Sequence, residues 1–320
     1  MRTKRIGILK ISIIFVLLIF VSSILFLTFQ VYKGSFSYAF SQRFPKLIAI
    51  FLIGFTISLC TILFQTITNN KLLTPSIIGI DSFYVFTQTV IVYALGTSNV
   101  LIVNKKLNFL ICLTVMVIVS AFIFSVFLKR GKSNIILIIL VGIILGTMFN
   151  SFSKFMQIAI DPNEYLILQS RLFASFSNIN VEILLISLIM IIVIILLIWK
   201  DFKYLDVMSL GRDHSINLGI DYDGLVKKFF IIVILCTAIS TALVGPITFL
   251  GLIVVNITYE VVKSYKHLNT LSFCILLSIF ILVFCQFLLE RVLKWEIPIS
   301  VIINLIGGIY FMCLLLKERY

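Results

Sequence analysis

The sequence has few residues of the kinds that carry catalysis or bind metals. Its 320 residues include 13 Asp and Glu and two His, and all charged residues together make up 12%. Neither His214 nor His267 belongs to an HExxH motif, and no Ser/His/Asp set or metal-spaced cluster is present. The acids near His214 lack the spacing of an EF-hand loop. These absences argue against a membrane enzyme and predict no metal and no cofactor.

A nucleotide-hydrolysing site is also missing. The stretch "RGKS" at 130–133 resembles the end of a phosphate-binding loop, but Val126 occupies the position where that motif needs glycine. The six cysteines all lie in apolar runs without a CxxC pair. They are expected to be buried thiols, which gives neither a disulfide framework nor a metal site.

Long apolar runs, and not catalytic or metal-binding motifs, are the main feature of the sequence. The sequence is 61% hydrophobic with a mean hydropathy of +1.19, which is typical of membrane-spanning helices. Breaks at charged, Pro, Gly and Asn clusters predict an all-α, polytopic membrane protein with about ten spans. The first run is too long for an ordinary signal peptide and is interpreted as a retained span, an uncleaved signal being the alternative. The spans are 8–30, 47–67, 77–97, 107–128, 135–155, 180–199, 228–244, 247–262, 271–289 and 298–316.

The distribution of basic residues predicts the orientation. With both termini in the cytoplasm, the inner segments contain most of the 26 Lys and Arg residues, as the positive-inside rule requires. The same rule explains the net charge of +13 without a nucleic-acid partner. It also places the one long polar stretch, "DVMSLGRDHSINLGIDYDG" at 206–224, on the cytoplasmic side. Gly245-Pro246 predicts an abrupt turn within the membrane, which is tolerated where protein or a watery cavity covers it.

Carboxylates are scarce in the predicted spans. Asp81, Glu182 and Glu290 all lie at or near span ends, whereas ion-coupled transporters usually carry ionisable groups near the midplane. A secondary transporter is therefore the weaker alternative. A membrane pathway that is energised by a partner fits the composition better.

Several segments occur in the order found in one protein family. They are "QRFPKLIAIFLIG", "FQTITNNKLLTPSIIGIDS", "LGRDHSINLG", "VGPITFLGLIVVNI" and "IPISVIINLIGGIYFMCLLLK". From about residue 40 to the C-terminus the chain resembles the FecCD/BtuC-type permeases of ABC importers for ferric siderophores, haem and cobalamin. The segments "DPNEYLILQSRLFASF" and "LIVVN" look most similar to a Gram-positive branch that serves catecholate siderophores.

The resemblance implies a type II ABC importer permease, with residues 1–320 forming one transmembrane domain and no ATPase site of its own. Its expected partners are a second permease subunit, two copies of a cytoplasmic ABC ATPase and an extracellular siderophore-binding lipoprotein. A paralogous second permease is favoured, and a second copy of this chain is possible. The expected cargo is a ferric siderophore crossing the plasma membrane of a Gram-positive bacterium, with haem or cobalamin as the alternative.

The polar stretch is predicted to be the contact with the ATPase. Two short helices separated by the repeated "LG" would form a compact knob within a cytoplasmic coupling loop at 200–227, with Asp206 and Ser209, or Asp213, capping helix starts. The resemblance implies that this segment seats in a cleft of the ATPase, with apolar anchors and a polar rim. The predicted residues are Met208, Leu210, Gly211, Arg212, Asp213, His214, Leu218 and Gly219, with Ile216 as a further anchor.

Two further sets of residues are implied. Arg43 and Lys46 match the family's Arg-x-Pro-Arg motif and Arg291 its late arginine, so these outward cations are expected to meet carboxylates of the binding protein. The alternative is that they extend to lipid headgroups. Three polar residues within spans could line the pathway or form hydrogen bonds between helices: Gln65, Asn150 and Asn304. Ser133 and Asn134, between the fourth and fifth spans, lie where the family places a cytoplasmic gate, with an ordinary turn as the alternative.

Overall fold

The computed structural model describes residues 2–31, 36–130, 135–177, 179–295 and 297–318. Within these ranges the chain is helical throughout, with short connections. A 3₁₀ turn at Pro75–Ile78 precedes the third α-helix, and a π-helical turn at Leu288–Leu293 follows the thirteenth. The α-helices are α1 (Arg2–Thr28), α2 (Phe36–Thr68), α3 (Ile80–Leu95), α4 (Val100–Val103), α5 (Lys105–Arg130), α6 (Ile135–Ile158), α7 (Pro162–Leu172), α8 (Val181–Ile198), α9 (Phe202–Met208), α10 (Arg212–Asn217), α11 (Tyr222–Val244), α12 (Leu250–Val262), α13 (His267–Phe287) and α14 (Ile299–Glu318).

The ten predicted spans correspond to ten of these helices. In the part of the chain that the structure describes, eight helices are long and apolar enough to cross a membrane, and α3 and α12 are shorter apolar helices. The other four α-helices are short or polar segments that connect them. The prediction of an all-α polytopic fold with about ten spans is confirmed.

Helix α2 begins earlier than predicted. It starts at Phe36 instead of residue 47 and has Pro45 in its interior. A proline usually marks a helix start because it lacks an N–H and its ring clashes with the preceding turn. Here side chains on either side of Pro45 tie α2 to other parts of the protein: Arg43 donates to the Leu27 carbonyl of α1, and Lys46 donates to Glu290 of the π-helical turn.

The core forms around α2, which packs extensively against α11 and α13. Large side chains such as Phe64, Phe229 and Phe273 are completely buried there. A second close contact joins α6 to the turn before α3: a Cβ built on Gly142 would lie 2.8 Å from the Ile78 carbonyl oxygen. Glycines therefore permit a helix approach that any larger residue would prevent.

Two backbone breaks shorten α3 and α12. The chain leaves α2 at Thr68 and turns back into the protein, so that α3 starts only at Ile80. Helix α11 ends at Val244, where Gly245 adopts a φ of 106° and packs against the backbone of Ala174. The abrupt turn expected at Gly245-Pro246 is confirmed, and surrounding protein covers it.

Contacts between connections define two ends of the bundle. At one end, called the inner end after the predicted orientation, α9, α10 and the start of α13 meet the turn after α2, where Lys71 lies 5.1 Å from the Tyr259 ring. At the opposite, outer end, the backbone N–H of Thr97 donates to Glu164 and Arg171 donates to the Ile102 carbonyl. Arg43 and the π-helical turn also lie at the outer end.

Candidate functional site

The inner end carries the polar stretch as two short helices. Helix α9 ends at Met208 and α10 runs from Arg212 to Asn217. Leu210-Gly211 joins them and Leu218-Gly219 follows. Gly211 and Gly219 have φ values of 96° and 81°, a region that favours glycine. The expected pair of short helices with "LG" turns is confirmed.

The apolar side chains of this segment divide into exposed and buried ones. Leu210, Ile216 and Leu218 are 57%, 44% and 62% exposed, which is unusual for three neighbouring aliphatic residues in a polar segment. Met208, by contrast, is completely buried in the core of the chain itself. Its assignment as a contact residue is therefore wrong: the face of α9 that carries Met208 packs inward. Beside the three exposed side chains, Arg212, Asp213 and His214 are also exposed.

Ion pairs attach the two short helices to long ones. Arg212 donates to Asp223 at the start of α11 over 3.0 Å, and hydrogen bonding to that carboxylate raises the pKa of the guanidinium. Lys228 of α11 pairs with Asp201 just before α9. Both ion pairs are at least partly exposed and add little stability, so the segment is held mainly by the buried Met208 side of α9 and by the short connection at 218–221 to α11.

Asp206 makes a different connection from the one predicted. Its carboxylate accepts the backbone N–H of His267 over 2.7 Å and lies 2.8 Å from that residue's Nδ1. It therefore caps the start of α13 and no helix of its own segment. No side chain caps α10, which begins at Gly211, and Asp221 caps α11 by accepting from the Gly224 N–H. The predicted capping roles of Ser209 and Asp213 are likewise wrong.

At the outer end, Arg43 is a structural residue. It is 6% exposed, and its Nη1 lies 3.1, 2.9 and 3.0 Å from the carbonyl oxygens of Phe26, Leu27 and Phe29. These carbonyls belong to the end of α1, where the helix leaves its last acceptors without intrahelical donors. The guanidinium satisfies them, so its expected exposure to a binding protein is wrong.

Lys46 and Arg291 share one internal counterion. Glu290 accepts from Lys46 Nζ and from Arg291 Nη2, each over 2.9 Å, and from the Gln286 amide over 3.1 Å. The side chains of Lys46 and Arg291 are 13% and 21% exposed. Arg291 Nε has no hydrogen-bond acceptor among the described residues. The cluster lies in and beside a π-helical turn, a feature that is frequent at functional sites.

A groove of about 530 Å³, lined by both polar and apolar residues, lies between α6 and the segment that leads into α3. Its lining includes Ser76, Ser82, Asn150 and Lys154, and the Asn150 amide donates weakly to the Ser82 hydroxyl over 3.4 Å. Asn150 is thus the predicted pathway residue that the structure places at a groove.

The other predicted pathway residues have different surroundings. The Gln65 amide donates to the Lys71 carbonyl over 2.6 Å and fixes the turn after α2. Asn304 accepts from the Thr248 hydroxyl over 2.9 Å and links α14 to the break before α12. Gln65 and Asn304 therefore make hydrogen bonds within the protein, which was the alternative to lining the pathway. Ser133 and Asn134 lie outside the described residues.

Sequence reasoning missed two features of the membrane region. Asp81 accepts from Thr241 over 3.0 Å beside a small cavity between the two backbone breaks. The second feature is a polar side of α6, where Thr147, Asn150, Ser151 and Lys154 follow one another at helical spacing and are exposed. That spacing was a readable signal in the sequence.

These features define the class of the protein. It is a polytopic helical membrane protein with an exposed segment at one end and a groove between helices, and the residues that the structure describes contain no metal-binding cluster. The family model of the FecCD transport family matches residues 7–317. The chain belongs to that family, and the resemblance deduced from its ordered motifs is confirmed. It is a transport permease, and ATP hydrolysis in such importers belongs to a separate subunit.

Curated relatives agree with this assignment. The chain is 46% identical over 286 residues to the petrobactin import system permease protein YclO of Bacillus subtilis, covering 89% of this chain and 91% of YclO. It is 29% identical over 299 residues to a second petrobactin import permease of the same organism, YclN, covering 91% and 90% of the two chains.

A solved structure shares the fold. It is an inward-facing conformation of a metal-chelate type ABC transporter, with a TM-score of 0.83 over 97% of this chain and 99% of the other. Sequence identity is 23%, so this likeness establishes the architecture and no cargo.

Proposed function

We propose that this chain is the permease subunit of an ABC importer that carries a ferric siderophore across the plasma membrane of a Gram-positive bacterium. The observation that carries the proposal is the combination, in one chain of this family, of a membrane bundle with an exposed apolar knob at its inner end. Leu210, Ile216 and Leu218 form that knob, and apolar patches rimmed by polar residues are typical of protein contacts. Petrobactin, named for YclO, is the first cargo to test.

The knob suits a contact with a cytoplasmic ATPase. Arg212, Asp213 and His214 surround the apolar side chains with polar groups, as in the rim of a protein interface. The bonds to Asp223 and His267 join the knob to α11 and α13. A displacement imposed on the knob by ATP binding would therefore reach two long helices directly, which a switch between outward and inward access requires.

The partners follow from the same reasoning. Two different permeases carry the petrobactin import name in one Bacillus, which favours a paralogous second permease over a second copy of this chain. A binding lipoprotein would deliver the chelate to the outer end, where Lys46 and Arg291 are the proposed docking cations. Arg43 has no place in this docking surface because it is buried.

Reconstitution tests the proposal. Proteoliposomes containing the permease with its paralogue, the ATPase and the lipoprotein should take up radiolabelled ferric petrobactin only with internal ATP, and an ionophore should not affect the rate. A variant ATPase unable to hydrolyse ATP is the control. Uptake driven by a proton or sodium gradient without ATPase would indicate a secondary transporter. Uptake of haem or cobalamin in place of the siderophore would correct the cargo.

A further inference from the structure

A small cavity lies inside the bundle, between the 3₁₀ turn that precedes α3 and the break between α11 and α12. Its volume is about 20 Å³, enough for one water molecule or one small ion. Asp81 of α3 is the only carboxylate among the described residues that line it. Most of the other polar groups there are hydroxyls, contributed by α2, the 3₁₀ turn and α11: Thr61, Ser76, Thr237, Ser240 and Thr241.

The two oxygens of the Asp81 carboxylate differ in their surroundings. Oδ1 accepts from the Thr241 hydroxyl over 3.0 Å, and Ser76 is a second hydroxyl close to the carboxylate. Oδ2 is completely buried and has no hydrogen-bond partner among the described residues. A buried acceptor without a partner costs free energy, and buried charges are usually paired or coordinate an ion. The structure around Oδ2 is therefore incomplete without a ligand.

No basic side chain balances this carboxylate in the part of the chain that the structure describes. The lining of the cavity contains no Lys, Arg or His there, and Asp81 takes part in none of the ion pairs. Glu290, by contrast, has both Lys46 and Arg291. Asp81 lies in the first turn of α3, where the helix dipole supplies a partial positive charge of about half a unit. That partial charge favours the ionised carboxylate but leaves the cavity with a net negative charge.

The hydroxyls beside the cavity are already used as donors. Thr237 and Ser240 donate to the carbonyls of Val233 and Thr237, and Thr241 donates to Asp81. A hydroxyl that has given its one hydrogen to another group keeps lone pairs and can only accept. Carboxylate and hydroxyl oxygens of this kind are the ligands that hard cations prefer. The cavity therefore has the donor atoms of a cation site.

We propose that Asp81 and the surrounding hydroxyls bind one monovalent cation of the size of sodium. A single carboxylate matches one positive charge, whereas calcium sites usually combine several carboxylates. Interrupted helices are places where membrane proteins coordinate such ions. The ion joins the start of α3 to α11 and so stabilises the two backbone breaks against each other. The site adds to the proposed function and does not depend on it.

Thermal unfolding of the purified permease tests the site. In wild type the melting temperature should rise with sodium chloride and not with choline chloride at equal ionic strength, because a ligand that binds only the folded state stabilises it. Asp81→Asn should abolish this difference between the salts. The matched control is Glu182→Gln, which removes an exposed carboxylate and should keep the sodium effect. Equal melting temperatures of wild type in the two salts would overturn the proposal and leave water as the occupant of the cavity.

Direct binding of radioactive sodium keeps the test valid if Asp81→Asn does not fold. Thr241→Val removes the hydroxyl that bonds to Asp81 and should weaken sodium binding roughly tenfold. Thr114→Val removes an exposed hydroxyl on α5 and should leave the affinity unchanged. No saturable binding by wild type, or equal affinity in the two threonine variants, would contradict the site. Either result would leave ATP-driven uptake, and with it the proposed function, unaffected.

Discussion

The double substitution Leu210→Ala and Leu218→Ala should uncouple the permease from its ATPase. Full burial of a leucine side chain contributes about 1.5–3 kcal/mol. With 57% and 62% of these residues exposed in the free chain, the contact can recover about 2–3.5 kcal/mol from them together. At about 1.4 kcal/mol per factor of ten, the dissociation constant should rise roughly 30- to 300-fold.

The assay is a titration of the ATPase onto the permease pair held in nanodiscs, followed by the uptake measurement. Leu196→Ala is the matched control, because Leu196 on α8 is 71% exposed but lies in a membrane span. The double variant should insert and pair normally, bind the ATPase weakly and lose uptake. A change of less than about threefold in binding, with uptake preserved, would refute the assignment of the knob as the ATPase contact.

Three further substitutions test the packing and the outer end. Gly146→Ala should lower the free energy of unfolding of the purified protein by about 1–3 kcal/mol, because the alanine Cβ would lie 2.9 Å from the Cα of Gly79. Gly308→Ala is the control and should leave that free energy unchanged, since a Cβ at Gly308 would have nothing within 4 Å. Glu290→Gln should tighten lipoprotein binding measurably at low salt, because it releases Lys46 and Arg291 from their internal ion pairs. The control Glu182→Gln breaks an exposed ion pair with Lys106 and should leave the affinity unchanged. Weaker binding in Glu290→Gln would contradict the docking proposal. Arg43→Ala should lower the free energy of unfolding by at least about 2 kcal/mol, because three carbonyls at the end of α1 lose their hydrogen-bond donor. The affinity of the folded fraction for the lipoprotein should stay constant. A loss of affinity without a loss of stability would instead place Arg43 in the docking surface.

The spans and turns could be predicted because their causes are local. A helix that crosses a bilayer must be apolar along most of its length, so apolar runs bounded by charged, Pro, Gly and Asn clusters located ten apolar helices, eight of them long enough to span a membrane. The two "LG" turns and the Gly245-Pro246 break depend on residues that permit or impose unusual backbone conformations, and each acts within a few positions. Family motifs then supplied the order of these elements.

The partners of individual side chains could not be predicted in the same way. Met208 lies in a helix of seven residues, too short for its periodicity to show which side faces inward. Asp206 caps a helix that starts 61 residues later, and nothing near Asp206 in the sequence indicates that position. Such contacts are set by tertiary packing. The polar residues Thr147, Asn150, Ser151 and Lys154 of α6 are the opposite case, because their helical spacing is visible in the sequence itself.

Lys46 and Arg291 show that a sequence motif can locate a charged residue without revealing whether that residue is already paired within the protein. Lys46 and Glu290 are 244 residues apart, yet their side chains meet over 2.9 Å. A binding-protein carboxylate that approaches Lys46 or Arg291 must therefore compete with an internal carboxylate already in place. The free energy of docking through these residues would then be the difference between two similar ion pairs, smaller than the value of either pair alone. Such an exchange favours rapid release of the binding protein over tight retention, which suits a lipoprotein that must dissociate to collect the next chelate.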